Sequence, residues 1–116
     1  MALVAKLSDA EIERSLANVP EWALLGDTIQ RTYAFADFGA SMRFVGKVAQ
    51  AAEADRHHPD ILIRYNKVTL TLSTHDAGGL SAKDFALAWK CDGFAGSEAP
   101  AAATPAAPKP SRKPKS

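Results

Sequence analysis

All three histidines of the chain lie within nineteen residues, at His57, His58 and His75. Histidine is the side chain best suited to proton transfer near neutral pH. Pro59 disfavours helical geometry for His58, so the first two histidines occupy the junction between a predicted helix and a predicted strand. His75 lies in a polar loop that leaves another strand. Loops held by a rigid sheet often carry functional side chains, so this cluster is the first candidate for a site.

The residues alone leave three interpretations of the cluster open. The simplest is that three polar side chains lie on surface loops without a shared function. The second is acid–base chemistry on a small molecule. The third is a metal site, because three histidines can hold zinc, although adjacent histidines are an unusual ligand spacing. Glu53 precedes His57 by four residues, so a continuing helix would place its carboxylate where it could hold an imidazolium. Asp76 and Asp84 have simpler interpretations as a loop carboxylate and a helix cap.

Length and composition limit the class of protein. The chain has 116 residues, of which 47% are hydrophobic, and this predicts one domain with a modest core that oligomerisation would help to cover. Cys91 is the only cysteine and cannot form an internal disulfide, which fits a reducing compartment. The N-terminus does not resemble a signal peptide, and no segment approaches the ~20 apolar residues that span a bilayer. We therefore predict a cytoplasmic protein without a membrane partner.

Charge and composition divide the chain near residue 96. Residues 1–96 hold ten Lys/Arg and twelve Asp/Glu, giving −2, whereas residues 97–116 hold four and one, giving +3. The acidic body argues against direct nucleic-acid binding. Five of the seven prolines lie after residue 96, with no aromatic residue, Leu, Ile or Val. We predict a folded domain over 1–96 and a disordered tail over 97–116, either a plain solubilising tail or a protein-binding one through Lys109, Arg112, Lys113 and Lys115.

Three helices are predicted, and the first and last begin in the same way. Ser8 with Glu11, and Ser81 with Asp84, form the spacing of a capping box, with Leu7–Ile12 and Leu80–Phe85 as hydrophobic staples. Asp37 is the predicted N-cap of the middle helix, which runs to about residue 55. The expected apolar stripes are Ile12 and Leu16 in the first helix, Phe38, Met42, Val45, Val48/Ala49 and Ala52 in the second, and Phe85, Ala88 and Trp89 in the third.

Two hairpins separate these helices. Residues 22–25 and 28–35 flank a turn at Gly26 and Asp27, and Arg31 interrupts the apolar face of the second strand. The next hairpin alternates apolar residues on both sides of a turn predicted at Asn66 and Lys67. The order α-β-β-α-β-β-α predicts an α+β fold, a four-stranded antiparallel sheet with three helices on one face.

The site residues and their neighbours form a pattern that covers about 32 residues. It reads Glu53-x-x-x-His57-His58-Pro59, Tyr65-Asn66-Lys67-Val68, Leu72-Ser73-Thr74-His75-Asp76 and Gly79-Leu80-Ser81-x-x-Asp84. This pattern resembles the pterin-4a-carbinolamine dehydratase family, which removes water from 4a-hydroxytetrahydropterin to give the quinonoid dihydropterin. The resemblance implies tetrahydropterin recycling that requires neither a metal nor an organic cofactor.

The resemblance also implies roles for individual residues. His57 and His75 correspond to the acid–base pair, His58 holds the substrate and supports catalysis, and Asp84 completes the catalytic set. The implied pterin-binding residues are Glu53, His57, His58, Pro59, Thr74, His75, Asp76 and Ala77. The chain departs from many relatives at Ile61, where tryptophan is common, and at Asp76, where glutamate is common.

Members of the family also differ in assembly and in added roles. They are generally dimers or tetramers, so the resemblance implies a homodimer or a homotetramer. Some act as dimerisation cofactors for a transcription factor, and carboxysome-associated relatives assist RuBisCO assembly. A non-catalytic or dual-role protein-binding module is therefore the alternative to a dehydratase.

Overall fold

A four-stranded antiparallel sheet and three helices follow one another in the predicted order. This computed structural model describes residues 5–98. The elements are α1 (Asp9–Leu16), β1 (Ala23–Leu25), β2 (Thr28–Ala34), α2 (Phe38–Asp55), β3 (Asp60–Arg64), β4 (Lys67–Leu72), a 3₁₀ turn (His75–Ala77) and α3 (Ala82–Ser97). The fold predicted from the sequence is therefore confirmed.

The sheet has the strand order β1-β2-β4-β3, and its two faces differ in chemistry. Ile29 pairs with Leu72 and Tyr33 with Val68, and all four side chains are buried beneath the helices. On the opposite face, the hydroxyls of Thr32 and Thr69 meet at 2.7 Å near solvent. The helices therefore cover one face of the sheet, and the core lies between the helices and that face.

Arg31 lies on the helix-covered face of β2, where the sequence predicts an interruption. Its guanidinium donates to Asp92 Oδ1 of α3 at 2.8 Å and lies over the Tyr33 ring, 4.3 Å from its centroid. The same oxygen accepts bonds from Trp22 Nε1 at 2.9 Å and from the Tyr33 hydroxyl at 2.5 Å. Burial, reinforced by the Asp92 contact, raises the pKa of Tyr33 far above its ordinary value. One carboxylate of α3 thus neutralises the charge that interrupts the apolar face.

The apolar stripe predicted for α2 is wrong at its N-terminal half. Phe38 and Met42 are 49% and 40% exposed, whereas Phe44 is fully buried. The residues of α2 that face the core are Ala40, Ser41, Phe44, Val48 and Ala52. Because apolar residues occur on several sides of this helix, their spacing alone did not determine which side packs on the sheet.

The stripe predicted for α3 requires a similar correction. Phe85 and Ala88 are buried as expected, but Trp89 is 67% exposed, and Leu87 and Cys91 are completely buried instead. Burial raises the pKa of the Cys91 thiol to about 12. In α1, by contrast, Ile12 and Leu16 pack against the core as predicted, and Leu7, just before the helix, packs there as well.

The second hairpin turns one residue earlier than predicted. Arg64 pairs with Lys67, so Tyr65 and Asn66 form the turn. Asn66 is held by Phe35, whose N–H donates to the Asn66 carbonyl at 2.7 Å and whose carbonyl accepts from Asn66 Nδ2 at 3.0 Å. Tyr65 takes the left-handed conformation with φ of 54°, and Arg56 is the only other non-glycine residue among those described with a positive φ.

The last helix continues to Ser97, one residue past the predicted domain boundary. Glu98 follows it and binds Arg43 Nε at 2.9 Å and Lys47 Nζ at 3.3 Å, which ties the end of α3 to α2. The rest of the predicted disordered tail, 99–116, lies outside the described residues. Over residues 5–98, no helix is long and apolar enough to cross a membrane.

Candidate active site

The first two histidines follow the C-terminal end of α2, and one of them is buried while the other is exposed. The helix ends at Asp55, and Arg56 takes a left-handed conformation with φ of 52°. The His57 N–H donates to the Ala52 carbonyl at 2.9 Å, which closes the helix end. The reversal at Arg56 directs His57 inward, where it is 7% exposed, while the His58 side chain is 63% exposed.

Glu53 contacts His58 and not His57. Its Oε2 lies 2.9 Å from His58 Nε2, and both side chains are largely exposed. The pairing with His57 that a continuing helix would allow does not form, because the chain leaves the helix at Arg56 and the four-residue helical spacing no longer applies. An exposed contact of this kind contributes little stability, so its significance lies in how it orients His58.

The third histidine lies on a short closed loop between β4 and α3. Thr74 and Gly79 form a bridge, with Thr74 N–H donating to Gly79 O at 2.9 Å and Gly79 N–H to Thr74 O at 3.3 Å. His75 begins the 3₁₀ turn inside this bridge and is exposed. Gly78 ends the turn at φ of 75°, a conformation that favours glycine. The bridge thus holds His75 at the surface, directly after buried Thr74 in the chain.

The first turn of α3 supplies a fully buried carboxylate. Ser81 is the N-cap, and its N–H donates to Asp84 Oδ2 at 2.9 Å in the predicted capping box. Thr74 Oγ donates to the same oxygen at 2.7 Å, and His57 Nε2 lies 2.5 Å from Asp84 Oδ1. A carboxylate in the interior needs such partners, and the helix N-terminus adds a favourable dipole. Asp84 therefore joins three segments: the end of α2, the loop after β4 and the start of α3.

The predicted site residues thus separate into three groups. His57, Thr74 and Asp84 are buried and bonded together, whereas Glu53 and His58 form a separate exposed pair. The remaining members lie around them: His75 and Asp76 are exposed, and Pro59 and Ala77 are half-buried. Thr74 was predicted among the pterin-binding residues, and its hydroxyl is bonded to Asp84.

Ser81 was not predicted to belong to the site. Its hydroxyl lies 2.6 Å from Thr74 Oγ, and both residues are buried. The capping spacing with Asp84 was visible in the sequence, but it identified Ser81 only as the start of a helix. The contact with Thr74 depends on the bridge that closes the 3₁₀ turn, and no local spacing reveals it.

Chemically, the arrangement combines one buried imidazole with two exposed ones on neighbouring loops. His57 is oriented by a carboxylate, the device that fixes a catalytic histidine in many acid–base sites. No group of three His, Cys, Asp or Glu side chains within the described part of the chain is placed to hold a metal ion. The geometry therefore offers proton donors and acceptors at the junction of α2, β3 and α3.

Comparison with known proteins identifies relatives of this fold and site. The profile of the family described as pterin 4 alpha carbinolamine dehydratase matches residues 5–94. A Chloroflexus aurantiacus protein is 55% identical over 91 residues, which cover 78% of this chain and 98% of its own. A Cyanothece sp. protein is 55% identical over 82 residues, covering 71% and 84%. Both carry the provisional name pterin-4-alpha-carbinolamine dehydratase.

Two solved structures have a similar fold. A transcriptional coactivator/pterin dehydratase from Brucella melitensis has a TM-score of 0.75 at 30% identity, covering 78% of this chain and 98% of its own. A pterin dehydratase-like protein identified as a RuBisCO assembly factor in the alpha-carboxysome has a TM-score of 0.58 at 26% identity, covering 66% and 90%. The family profile, the relatives and the fold agree with the motif around the three histidines. The chain therefore belongs to the pterin-4-alpha-carbinolamine dehydratase family.

Proposed function

We propose that this chain removes water from 4a-hydroxytetrahydropterin, with His57 and His75 as the acid–base pair. The observation that carries the proposal is the contact between His57 Nε2 and the buried Asp84 carboxylate at 2.5 Å. A surface histidine has no need of a fully buried carboxylate partner, whereas a catalytic histidine needs a fixed orientation. The 55% identity to relatives provisionally named as such dehydratases supports the substrate class.

The reaction needs two proton movements and no change of oxidation state. The C–O bond at the hydroxylated carbon breaks, and a proton from an acid lets the hydroxyl leave as water. A base removes a proton from the ring system, and the electrons released form the new double bond to nitrogen. The products are the quinonoid dihydropterin and one water molecule, so atoms balance without a cofactor. Two imidazoles with complementary protonation states can perform both steps.

The remaining residues have supporting roles in this proposal. His58, oriented by Glu53, holds the substrate at the outer side of the site. Asp84 orients His57 through the contact at Nε2. The rest of the pterin-binding surface comprises Pro59, His75, Asp76 and Ala77. Thr74 supports this surface without binding the pterin itself, because its hydroxyl, N–H and carbonyl are already bonded. Ile61 is 37% exposed and provides one apolar wall where many relatives have an aromatic side chain.

A stopped-flow assay with freshly generated 4a-hydroxytetrahydropterin tests the proposal. We expect the wild-type chain to accelerate dehydration and the double variant His57→Ala/His75→Ala to lose most of that acceleration, about 100-fold or more. Gln30→Ala, on the exposed face of the sheet, is the matched control and should retain the wild-type rate. A wild-type rate equal to the spontaneous rate would overturn the proposal.

A second candidate function is an added protein-binding role. The described surface exposes large apolar side chains at Phe38 and Met42 on α2 and at Trp89 on α3. One solved relative is a transcriptional coactivator/pterin dehydratase, and the other was identified as a RuBisCO assembly factor. Pull-down from a lysate of the source organism, with the full chain and with a chain ending at Glu98, tests this role. Capture by neither chain would argue against it, and capture by the full chain alone would assign it to the predicted tail.

The homodimer or homotetramer and the cytoplasmic location accompany the proposed function. Light scattering of the purified chain distinguishes a monomer from either assembly, and fractionation of the source cells tests the location. A monomer that catalyses at full rate would remove oligomerisation from the proposal without affecting the chemistry.

A further inference from the structure

We propose that Thr74 and Ser81 are positioning residues that, through Asp84, keep a proton on Nε2 of His57 and leave Nδ1 to exchange protons with the substrate. This inference rests on the proposed function for its substrate and on the hydrogen bonds around Asp84 for its geometry. It assigns a role to two hydroxyls that would otherwise count only as a helix cap and a loop contact.

The direction of each hydrogen bond follows from counting protons. A threonine hydroxyl has one proton, and that of Thr74 lies on Asp84 Oδ2 at 2.7 Å. Thr74 must then accept in its second contact, so the Ser81 hydroxyl donates to Thr74 across 2.6 Å. Ser81 Oγ in turn accepts from the Lys83 N–H at 3.2 Å. The three bonds all point toward the carboxylate, and aligned hydrogen bonds strengthen one another.

The carboxylate has a corresponding set of contacts. Asp84 Oδ2 accepts from both Thr74 and the Ser81 N–H, and the N-terminus of α3 adds its positive end. These donors stabilise the ionised carboxylate. Asp84 Oδ1 then acts as an acceptor, and the proton in the 2.5 Å contact belongs to His57 Nε2. An aspartate supported on one oxygen therefore fixes the tautomer of the histidine on the other.

The fixed tautomer determines which atom of His57 reacts. With Nε2–H on Asp84, only Nδ1 can gain or lose a proton during the reaction. Nδ1 has no hydrogen-bond partner within residues 5–98, and the side chain is 8% exposed. When Nδ1 takes the proton from the ring system, the imidazolium charge is balanced by Asp84. His75 then gives its proton to the leaving hydroxyl, and solvent restores both histidines.

The tautomer can be measured directly in the wild-type chain. Long-range ¹H–¹⁵N correlation spectra of ¹⁵N-labelled protein distinguish a protonated ring nitrogen from an unprotonated one. At a pH where His57 is neutral, we expect a single Nε2–H tautomer for His57, while His75 shows the mixture of an exposed ring. A His57 signal with its proton on Nδ1 would overturn the inference without any variant.

Removal of the Thr74 hydroxyl tests its role. Thr74→Val keeps the shape of the side chain but leaves Oδ2 with one donor fewer, and Thr74→Ser restores the hydroxyl. We expect Thr74→Val to mix the two tautomers and lower kcat about 10-fold with little change in KM, and Thr74→Ser to recover both. Thr32→Val removes a hydroxyl that bonds Thr69 on the exposed face and is the matched control. A Thr74→Val chain with wild-type kcat and one tautomer would contradict the positioning role.

The two readouts separate this inference from the proposed function. A chain that shows the Nε2–H tautomer but no dehydration would overturn the function and retain the positioning role. A chain that dehydrates the pterin with the proton on Nδ1 would overturn the positioning role and retain the function. Ser81→Ala provides a second variant if Thr74→Val does not fold, since it removes the donor to Thr74 and leaves the Ser81 N–H in place.

Discussion

Two helices of this protein begin with the same capping box, and the two boxes lie in opposite surroundings. At α1, the Ser8 N–H donates to Glu11 at 2.8 Å and the Glu11 N–H donates to Ser8 Oγ at 3.2 Å, and both residues are exposed. At α3, the Ser81 N–H donates to Asp84 at 2.9 Å, and both residues are completely buried. The local signal is the same, so the difference lies in what packs around it.

That difference is the origin of the candidate site. The Glu11 carboxylate is held within its own turn by Ser8. The Asp84 carboxylate also binds Thr74 and His57, which come from two other segments of the chain. Asp84 therefore has two roles, since it caps the start of α3 and also holds His57 in place. Variants at matched positions of the two boxes should therefore behave differently.

The largest difference is expected for the two carboxylates. Asp84→Asn replaces an acceptor of three bonds with a group that cannot satisfy all the donors, and it should lower the free energy of unfolding by about 3 kcal/mol. Glu11→Gln changes a fully exposed side chain, so its effect on the free energy of unfolding should be much smaller. Urea unfolding followed by circular dichroism measures both. Equal losses would contradict the importance of burial.

A second carboxylate of α3 tests whether burial alone explains the effect. Asp92 accepts bonds from Trp22, Arg31 and Tyr33 but contacts none of the three histidines. Asp92→Asn should cost about 2 kcal/mol of unfolding free energy and leave the dehydration rate unchanged. The same urea titration and a rate assay well below the unfolding midpoint check both parts. A large loss of rate in stable protein would indicate that the site extends across α3.

The two serines should differ by a smaller amount. Ser8→Ala removes an exposed cap and should cost about 0.5–1 kcal/mol of unfolding free energy. Ser81→Ala removes a cap and also the buried donor to Thr74, so its cost should be about 2 kcal/mol. Thermal and urea unfolding of the two variants measure the difference in their unfolding free energies. If Ser8→Ala proved the more damaging substitution, the buried network would not contribute as described.

The smallest effect is a titration of the exposed box. Hydrogen bonds from the Ser8 backbone and hydroxyl lower the pKa of Glu11 below its ordinary value. The stability that Glu11 contributes is therefore present above the unfolded pKa and is lost as the pH falls through the folded value. Ser8→Ala removes the hydroxyl but keeps the backbone N–H, which is the larger cause, so the pKa of Glu11 should move only part of the way back toward its ordinary value. Carboxyl ¹³C shifts followed with pH measure this change, and a full return to the ordinary value would mean that the backbone N–H does not hold the carboxylate in solution.

The comparison of boxes also shows which features of the fold were visible in the sequence. Both helix starts, the presence of both hairpins and the order of elements follow from short-range spacing and were predicted correctly, although the second hairpin turns one residue earlier than predicted. Features that depend on packing were not. The exposed positions of Phe38 and Trp89 could not be predicted because α2 and α3 carry apolar residues on more than one side.

The candidate site shows the same limit at the level of single contacts. The motif names Asp84 and the histidines, but the four-residue spacing suggested His57 as the partner of Glu53, whereas Glu53 contacts His58. The left-handed conformation of Arg56 changes that pairing, and an arginine at this position does not predict such a conformation. The hydroxyl contact between Thr74 and Ser81 likewise depends on the closed loop between them. Spacing therefore predicts the members of a site better than it predicts their partners.

The most direct test of the account is the rate at which three chains dehydrate 4a-hydroxytetrahydropterin in one stopped-flow experiment. The wild type and Glu11→Gln should accelerate the reaction equally above its spontaneous rate. Asp84→Asn should lose about 100-fold or more of kcat, because His57 would no longer be held by a carboxylate. An Asp84→Asn chain that is folded and as fast as the wild type would contradict the claim that the buried capping box anchors a catalytic histidine.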